Sequence, residues 1–372
     1  MLINRKYLTI LPAAAFVCLL IAGLSVSVIS LKAVPEAEWA ALKDTDKILS
    51  GESTKRFTKL LNQHFVLGPT FSQIERGMLW NLTGDLGPGV RPGCADWLFL
   101  ADELEPHPDS ENSARFRATL AAKLNSRLAE RGIKLLMVIV PDKTRIESAH
   151  LCGLKRSGRF AARVANWQST LEGEGVAALD LTQSLAEQEG ERYYHTDTHW
   201  NEAGANRSAR VVASALRARH WAGDAGGEPV VLNTALTARP GDLVHLAGID
   251  GLPAFLRPRV ESAQVTVLPP LAQGSDDLFG EASAPTTTLI GTSYSRNSNF
   301  VPFLERHLGE GVANEAKDGG DFAGAAIGYF GGVTFRSFAP RVVVWEVPER
   351  VIEMPVKEAE RQWLASLLKA RL

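Results

Sequence analysis

One short stretch of this sequence determines the rest of the interpretation. It has the sequence Tyr193-Tyr194-His195-Thr196-Asp197-Thr198-His199-Trp200-Asn201-Glu202-Ala203-Gly204-Ala205, and a helical pattern follows it. Residues two apart in extended backbone point the same way, so we expect Asp197 and His199 to face one cleft while Thr198 faces away. A carboxylate beside an imidazole is a base together with the group that orients it. From spacing alone, a surface turn with a helix cap explains the pair equally well.

A nucleophile for this base is available about ninety residues further on. The segment Leu289-Ile290-Gly291-Thr292-Ser293-Tyr294-Ser295 is an apolar strand pattern that runs into a turn of small residues. A serine hydroxyl becomes nucleophilic when an imidazole takes its proton and a carboxylate stabilises the imidazolium. We therefore predict that Ser293, His199 and Asp197 form a Ser-His-Asp site.

Four motifs in chain order resemble one known family. They are Asp96-Trp97-Leu98-Phe99, Thr196-Asp197-Thr198-His199-Trp200-Asn201, Gly291-Thr292-Ser293-Tyr294-Ser295-Arg296-Asn297 and Val344-Trp345-Glu346-Val347-Pro348-Glu349-Arg350. Together they resemble the alginate O-acetyltransferase family of AlgJ and AlgX, from about residue 50 to about residue 350. The resemblance implies an SGNH-hydrolase-like domain with permuted motif order, because Asp197 and His199 precede Ser293. Cys94-Ala95-Asp96 departs from the glycine-rich turn that the family has before its tryptophan.

The resemblance also implies an activity. Ser293 would be the nucleophile that becomes acetylated, His199 the base and then the acid, and Asp197 the orienting carboxylate. The acceptor would be an exported, alginate-like polysaccharide, and a membrane-bound O-acyltransferase partner would supply the acetyl group. Only Met354 to Leu372 follow the last motif, as a predicted terminal helix, so we expect the AlgJ type without the separate carbohydrate-binding domain of AlgX.

Two other functions are compatible with the same residues. A periplasmic carbohydrate acetylesterase differs only in that water reaches the acyl-enzyme, and a non-catalytic scaffold of an acetylation complex would bind polysaccharide on the same fold. The polymer, the acetylated hydroxyl, the physiological donor and the oligomeric state are left open by the sequence.

Polar residues near the nucleophile are candidate substrate contacts. Arg296, Asn297 and Asn299 follow Ser293 closely, and one of them could steady an oxyanion or a sugar hydroxyl beside the backbone N–H of Ser293 or its neighbour. Side chains that only stabilise the turn are an equal alternative. Asp142 and Lys143 follow a predicted strand, where we favour a polar strand end over a place in the site.

Composition excludes some classes of function. With 372 residues, 45% hydrophobic and 22% charged, the chain has globular composition, and its net charge of -2 gives no electrostatic footprint for nucleic acid. Cysteine and histidine do not occur with zinc-ligand spacing, so we expect no metal and no other cofactor.

The N-terminal segment predicts a membrane anchor. Arg5 and Lys6 precede Tyr7 to Leu31, which carries no charge and is long enough to cross a hydrocarbon core of about 30 Å. Positive charge on the leading side favours a cytoplasmic N-terminus. We therefore predict a cytoplasmic start and transmembrane signal anchor over 1–33, and a periplasmic domain over 34–372, held at the inner membrane. A cleaved signal peptide is the alternative.

The remaining pattern alternates helices with strands. Helices are predicted over 111–131, 159–172, 185–189 and 203–220, and strands over 97–100, 133–140, 176–181, 286–290 and 341–345. Such alternation predicts an α/β fold with a mostly parallel sheet flanked by helices, and a site at the carboxyl ends of the strands. Amphipathic helices interrupted at Gly51 precede it, with loops at Gly68-Pro69 and over 84–93.

The cysteines suggest one covalent link. Cys18 lies in the membrane segment, which leaves Cys94 and Cys152 in the exported part. Two cysteines in an exported chain commonly pair, so we expect a disulfide, with two separate buried thiols as the alternative.

Overall fold

The computed structural model describes residues 5–40, 42–43, 45–269, 271 and 285–369. Residues 1–4 of the predicted membrane anchor and residues 370–372 of the predicted terminal helix lie outside the described residues. The helices are α1 (Arg5–Lys32), α2 (Glu36–Ala40), α3 (Thr45–Leu49), α4 (Glu52–His64), α5 (Gly68–Thr83), α6 (Ser110–Ala129), α7 (Lys143–Ile146), α8 (Arg163–Gly173), α9 (Thr182–Ala186), α10 (Glu202–Ala218), α11 (Asp242–Leu246), α12 (Phe300–Leu308), α13 (Gly324–Gly331), α14 (Val333–Ser337) and α15 (Glu358–Lys369). The strands are β1 (Val90–Pro92), β2 (Leu98–Leu100), β3 (Lys134–Val140), β4 (Ala177–Asp180), β5 (Asn233–Arg239), β6 (Glu261–Val267), β7 (Thr287–Ile290), β8 (Val312–Asn314) and β9 (Val342–Pro348).

A five-stranded parallel sheet forms the centre of the fold. Its strand order is β4-β3-β9-β7-β8, and every neighbouring pair is parallel. The α/β fold with helices flanking a parallel sheet, predicted from sequence, is confirmed. Because parallel strands end at the same edge, the residues after β3, β9 and β7 come together there.

The sheet is buried on both faces. Along β3, Leu135, Met137 and Ile139 belong to one buried apolar cluster, and the alternate residues belong to the other. α6, α8, α13 and α15 contribute to the first cluster, and α10 and α12 contribute to the second. Burial on both faces explains why the strands are almost continuously apolar in sequence.

Most predicted elements agree with the structure to within a few residues. The helix predicted over 111–131 is α6, and Gly132 after it has φ +73°, the left-handed conformation expected of a glycine that ends a helix. The helix predicted over 159–172 is shorter, because a 3₁₀ turn at Gly158–Phe160 precedes α8. The helix predicted over 185–189 lies earlier, as α9.

The prediction of a loop at Gly68-Pro69 is wrong, because these residues begin α5. Proline lacks the N–H that the first turn of a helix leaves unpaired, so it is tolerated there. The sequence also gave no warning of the antiparallel hairpin of β5 and β6, which pairs Asn233 with Val267 and Arg239 with Glu261.

The chain divides into two compact units. The N-terminal unit comprises Met1–Thr83 and Gly251–Leu256, and the catalytic unit comprises Gly84–Asp250 and Arg257–Leu372. In the N-terminal unit, Pro12–Lys32 is long and apolar enough to cross a membrane, and 6% of it is buried. The boundary predicted between residues 33 and 34 concerns this membrane segment and stays a prediction.

Candidate active site

The structure brings the three predicted triad residues into one hydrogen-bonded line. Asp197 Oδ1 lies 2.6 Å from His199 Nδ1, and His199 Nε2 lies 2.7 Å from Ser293 Oγ. Asp197 and His199 are buried, whereas Ser293 is partly exposed. A hydroxyl at the surface with its base and carboxylate behind it is the geometry that nucleophilic acyl transfer needs.

Asp197 and His199 meet through a tight turn and not through extended backbone, which corrects our expectation. Asp197 Oδ1 also accepts the backbone N–H of His199 at 2.9 Å, so the carboxylate bonds both the ring and the main chain two residues on. The Thr198 N–H and hydroxyl donate to Asp242 Oδ1, and Asp242 Oδ2 lies 3.6 Å from His199 Nδ1, so Thr198 contacts a residue beside the imidazole and does not face away from it. An antiparallel bridge between Tyr193 and Trp200 closes the loop, and Asn201 then caps α10 by accepting the N–H of Gly204.

The turn that carries Ser293, which we call the nucleophile turn, is hydrogen-bonded to a buried glutamate of β9. Glu346 Oε2 accepts the Thr292 N–H at 2.7 Å and the Ser295 hydroxyl at 2.9 Å, and the Thr292 hydroxyl donates to the same carboxylate. A Cβ on Gly291 would lie 2.5 Å from Glu346 Oε2, so only glycine permits this approach. Burial raises the pKa of Glu346, although these hydrogen bonds lower it. Thr292 and Ser295 thus face the sheet, and Ser293 projects from the turn.

Tyr294 fixes the loop that carries the imidazole. Its hydroxyl donates to the Thr198 carbonyl at 2.9 Å, and its ring meets the His199 ring edge-on with centroids 5.1 Å apart. Each residue of the segment 291–295 therefore has a defined contact in the site.

A second set of hydrogen bonds joins Asp197 to Ser293. Arg239, the last residue of β5, donates from Nε to Asp197 Oδ2 at 3.0 Å and from Nη2 to Asn297 Oδ1 at 3.2 Å. Asn297 Nδ2 in turn donates to the Ser293 carbonyl at 2.9 Å. Together with the triad contacts, these bonds form a closed ring that fixes the nucleophile turn relative to the carboxylate.

The charge of Asp197 is stabilised within this ring. Burial alone raises the pKa of a carboxyl, but here the hydrogen bond and charge of His199 and the guanidinium of Arg239 outweigh it and lower the pKa of Asp197 well below its usual range. Asp197 is therefore ionised at neutral pH, as a group that orients and stabilises an imidazolium must be.

A buried lysine supports the loop from the sheet side. Lys143 Nζ donates to the carbonyls of Leu98 at 2.7 Å, His195 at 2.7 Å and Asp197 at 3.0 Å. Burial lowers the pKa of Lys143 to about 8, although nearby carboxylates, Glu103 first among them, raise it. Lys143 is thus next to the site, although its contacts are to main-chain carbonyls, which differs from the plain polar strand end that we favoured.

Asp142 belongs to a separate network of charges. Its Oδ2 accepts from Arg156 at 3.2 Å and also from Arg163, and the same two arginines bond Glu349. Glu349 also accepts from Arg145, and these guanidinium groups lower the pKa of Glu349 despite its burial. This network ties the ends of β3 and β9 together and contributes no contact to Ser293.

The three predicted substrate residues have different surroundings. Asn297 lies in the hydrogen-bonded ring described above. Asn299 donates to Glu202 Oε1 and to the Thr266 carbonyl, so its amide nitrogen faces α10 and β6. Arg296 is half exposed beside Ser293, and its Nε lies 3.3 Å from Asp318. Substrate contact by these residues stays a prediction, and Arg296 is the one whose charged group is exposed to solvent.

A metal would have few places at this site. Among the described residues, Asp197, His199 and Asp242 bring possible ligand atoms within 4.8 Å of one another. However, Asp197 Oδ2 is bonded to the Arg239 guanidinium, and Asp197 Oδ1 is bonded to His199 Nδ1. The ligand atoms that Asp197 and His199 would offer to a metal are therefore already in use. The absence of a metal stays a prediction.

Cys94 and Cys152 form a disulfide with Cα atoms 5.6 Å apart. The Cys94 N–H also donates to the His150 carbonyl at 3.0 Å, which joins the loop before β2 to the segment after α7. Cys18 is free and exposed on α1.

Sequence reasoning missed three residues that position the triad. Arg239 lies in a hairpin with no motif, Lys143 follows a strand end where charged residues are common, and Glu346 lies inside β9 within the last motif. The one signal available was burial, since a lysine and a glutamate next to continuous apolar strands need internal partners.

Comparison with known proteins agrees with this geometry. A family model described as "SGNH hydrolase-like domain, acetyltransferase AlgX" matches residues 90–349. The chain is 29% identical over 336 residues to the probable alginate O-acetylase AlgJ of Pseudomonas syringae pv. tomato, covering 87% of this chain and 85% of that protein. It is 30% identical over 337 residues to the Pseudomonas putida protein of the same name, covering 87% and 86%.

Solved structures show the same fold. The O-acetyltransferase domain of Pseudomonas putida AlgJ is 28% identical with a TM-score of 0.64, covering 75% of this chain and 98% of that one. Pseudomonas aeruginosa AlgX is 21% identical with a TM-score of 0.54, covering 76% and 66%. The family resemblance and the SGNH-like fold predicted from sequence are confirmed. With a family match over most of the catalytic unit, this chain belongs to the AlgX family of SGNH hydrolase-like acetyltransferases and is an acyltransferase enzyme.

Proposed function

We propose that this chain transfers acetyl groups to hydroxyls of an exported, alginate-like polysaccharide through an acetyl-serine intermediate at Ser293. The observation that carries the proposal is the placement of His199 between Ser293 Oγ at 2.7 Å and Asp197 Oδ1 at 2.6 Å. The names of the AlgJ relatives, probable alginate O-acetylases, support the choice of acceptor.

The first half of the reaction loads the enzyme. Ser293 Oγ attacks the carbonyl carbon of an acetyl donor while its proton passes to His199 Nε2. The tetrahedral intermediate then collapses, its bond to the donor breaks, and His199 returns the proton to the leaving group. Tyr294 N–H is directed at Thr292 Oγ1, so the Ser293 N–H is the better of the two backbone donors that we considered for the oxyanion.

The second half discharges the acetyl group. His199 takes the proton of a sugar hydroxyl, the hydroxyl oxygen attacks the acetyl carbon, and the bond to Ser293 Oγ breaks as the serine regains its proton. Arg296, exposed beside Ser293, is suited to a carboxylate of a uronate polymer.

The same proposal includes the location of the chain and the source of its acetyl groups. α1 would anchor the chain in the inner membrane with the catalytic unit in the periplasm, and the division into 1–33 and 34–372 follows from it. Since acetyl-coenzyme A is a cytoplasmic donor, a membrane-bound O-acyltransferase would bring acetyl groups across. A reporter that is active only in the periplasm, fused after Leu372, should be active.

Labelling with an activated acetyl ester tests the chemistry. The full chain should gain one acetyl group at Ser293, the adduct should be absent in Ser293→Ala, and an added alginate oligosaccharide should discharge it faster than water does. Ser298→Ala is the matched control and should label normally, because the Ser298 hydroxyl donates to the Trp200 carbonyl at 2.7 Å. An adduct on another serine, or one that persists in Ser293→Ala, would contradict the assignment, and discharge by water alone would indicate the esterase.

A further inference from the structure

Helix α5 has an exposed apolar face. Phe71, Ile74, Met78 and Leu82, which we call the α5 stripe, are 56%, 49%, 59% and 80% exposed. Their spacing of three and four residues places them on one side of a helix. Such a row of large apolar side chains, with the exposed Glu75 at its edge, is unusual on a surface that faces water.

The side of α5 next to the α5 stripe is packed within the N-terminal unit. A Cβ on Gly77 would lie 2.6 Å from the Leu252 side chain, and Asn81 Nδ2 donates to the Leu256 carbonyl at 3.1 Å. The rotation of α5 is therefore fixed by these contacts, and the α5 stripe faces outward.

The beginning of α5 is held beside the end of α1. The N–H of Val66 donates to Ser30 Oγ at 3.0 Å, and Ser30 is buried two residues before α1 ends at Lys32. A helix that spans a membrane leaves the hydrocarbon at its last turn. Val66, which is 56% exposed, therefore lies where acyl chains give way to headgroups.

Lysines supply positive charge in this unit, although Glu36 and Glu52 are exposed there as well. Lys32 at the end of α1 and Lys55 and Lys59 on α4 are exposed, and α4 contacts α1 in the same unit. The side chain of Phe71 in the stripe stacks on Phe65, with ring centroids 6.4 Å apart, which adds an aromatic group at the same end of α5. Basic and aromatic residues around an apolar helix face are typical of helices in the membrane interface.

We propose that α5 is an interfacial helix whose stripe lies against the acyl chains of the phospholipid leaflet into which α1 emerges. The proposal rests on the proposed membrane anchor and goes beyond acetyl transfer. It gives the segment between α1 and the catalytic unit a second, peripheral attachment to the bilayer, over a helix of about 24 Å.

Spin labels in the full chain test the proposal. In a Cys18→Ala background, with Cys94 and Cys152 left oxidised, Met78→Cys and Leu82→Cys would be labelled with a nitroxide in lipid-only proteoliposomes. Ser72→Cys and Thr83→Cys, exposed polar positions on other sides of α5, are the matched controls. Leu24→Cys, in the exposed apolar part of α1, reports on the anchor.

Collisions with oxygen, which concentrates in lipid, and with a water-soluble nickel chelate on both sides of the bilayer give the readout. We expect the two stripe labels to meet oxygen and not nickel, as the Leu24 label does, and the two control labels to show the reverse. Nickel contact at the stripe with lipid contact at Leu24 would overturn this proposal alone. Nickel contact at Leu24 would overturn the anchor and this proposal together, and protection of the stripe from both reagents would overturn it in favour of a second copy.

Discussion

At the scale of residues, the two oxygens of Asp197 have different tasks. Oδ1 bonds the ring and the main chain of His199, and Oδ2 bonds Arg239. The first oxygen sets the tautomer of the imidazole, and the second connects the triad to Asn297 and the Ser293 carbonyl.

We predict that Asp197→Asn lowers kcat by up to about four orders of magnitude, because an amide that donates to Nδ1 stabilises the wrong tautomer. KM should change little, since Asp197 lies behind the imidazole. Asp242→Asn is the matched control, because Asp242 Oδ2 lies 3.6 Å from Nδ1, beyond a hydrogen bond. Steady-state acetyl transfer measures both, and an equal loss in the two variants would contradict the assignment of Asp197.

A second residue-scale prediction concerns Arg239 and pH. A carboxyl whose pKa is lowered by folding stabilises the fold above its unfolded pKa, near 3.9, and loses that contribution as pH falls through its folded pKa. Arg239→Gln should therefore cost about 1–3 kcal/mol at pH 7, and this cost should decrease only well below about pH 3.9, as the pH falls through the folded pKa of Asp197. The free energy of unfolding of the full chain in detergent, measured from pH 7 down to the lowest pH at which the chain is folded, tests this.

Arg296→Gln is the control for that experiment, since its ion pair with Asp318 is solvent-exposed and should be worth less than about 1 kcal/mol throughout this pH range. If the cost of Arg239→Gln does not decrease even at the lowest pH values, Arg239 contributes through its packing on the Tyr194 ring, 4.2 Å from the guanidinium carbon.

At the scale of elements, the nucleophile is positioned by the neighbouring strand. β7 ends at Ile290, and the turn that follows is bonded to Glu346 in the middle of β9. The position of Ser293 therefore depends on the register of β7 and β9, which pairs Ile290 with Trp345.

We predict that Gly291→Ala destabilises the protein by about 1–3 kcal/mol and lowers kcat, because the new methyl group would force Glu346 and the turn apart. Gly328→Ala is the matched control. Gly328 is an exposed residue of α13 with nothing near its missing Cβ, so alanine should be neutral or stabilise by up to about 1 kcal/mol. Thermal unfolding and single-turnover acetylation measure both variants, and unchanged acetylation in Gly291→Ala would show that the turn tolerates displacement.

At the scale of the whole molecule, the Cys94–Cys152 disulfide links compartment and stability. The bond closes a loop with a sequence separation of 58 residues, and such disulfides persist in oxidising compartments such as the periplasm. It thus bears on the proposed location of the catalytic unit.

We predict that the protein isolated from membranes without reductant has one alkylatable thiol after denaturation, Cys18, and that reduction exposes two more. Reduction should also lower the Tm, since a native disulfide contributes about 2–4 kcal/mol. Cys18→Ala should leave the Tm unchanged. Three reactive thiols before reduction would argue against both the disulfide and the periplasmic location.

The sheet and the three central residues of the candidate site could be predicted without the structure. Strands such as Lys134–Val140 are apolar along their length, and a strand buried on both faces leaves that pattern in any sequence. Asp197, His199 and Ser293 were found because their motifs are contiguous, and the chemistry of each residue is local to its side chain. The alternation of helices and strands indicated where such a site forms.

The contacts that hold those residues in place could not be predicted, because they join segments that are distant in the chain. Arg239 reaches Asp197 from a hairpin 42 residues away, and Glu346 reaches Thr292 from the neighbouring strand. Lys143 was taken for a polar strand end because its three acceptors are main-chain carbonyls from two distant segments, one at Leu98 in β2 and one at His195 and Asp197. Carbonyl groups are the same in every residue, so a contact that depends on them leaves no pattern in a sequence and is created only when the chain folds.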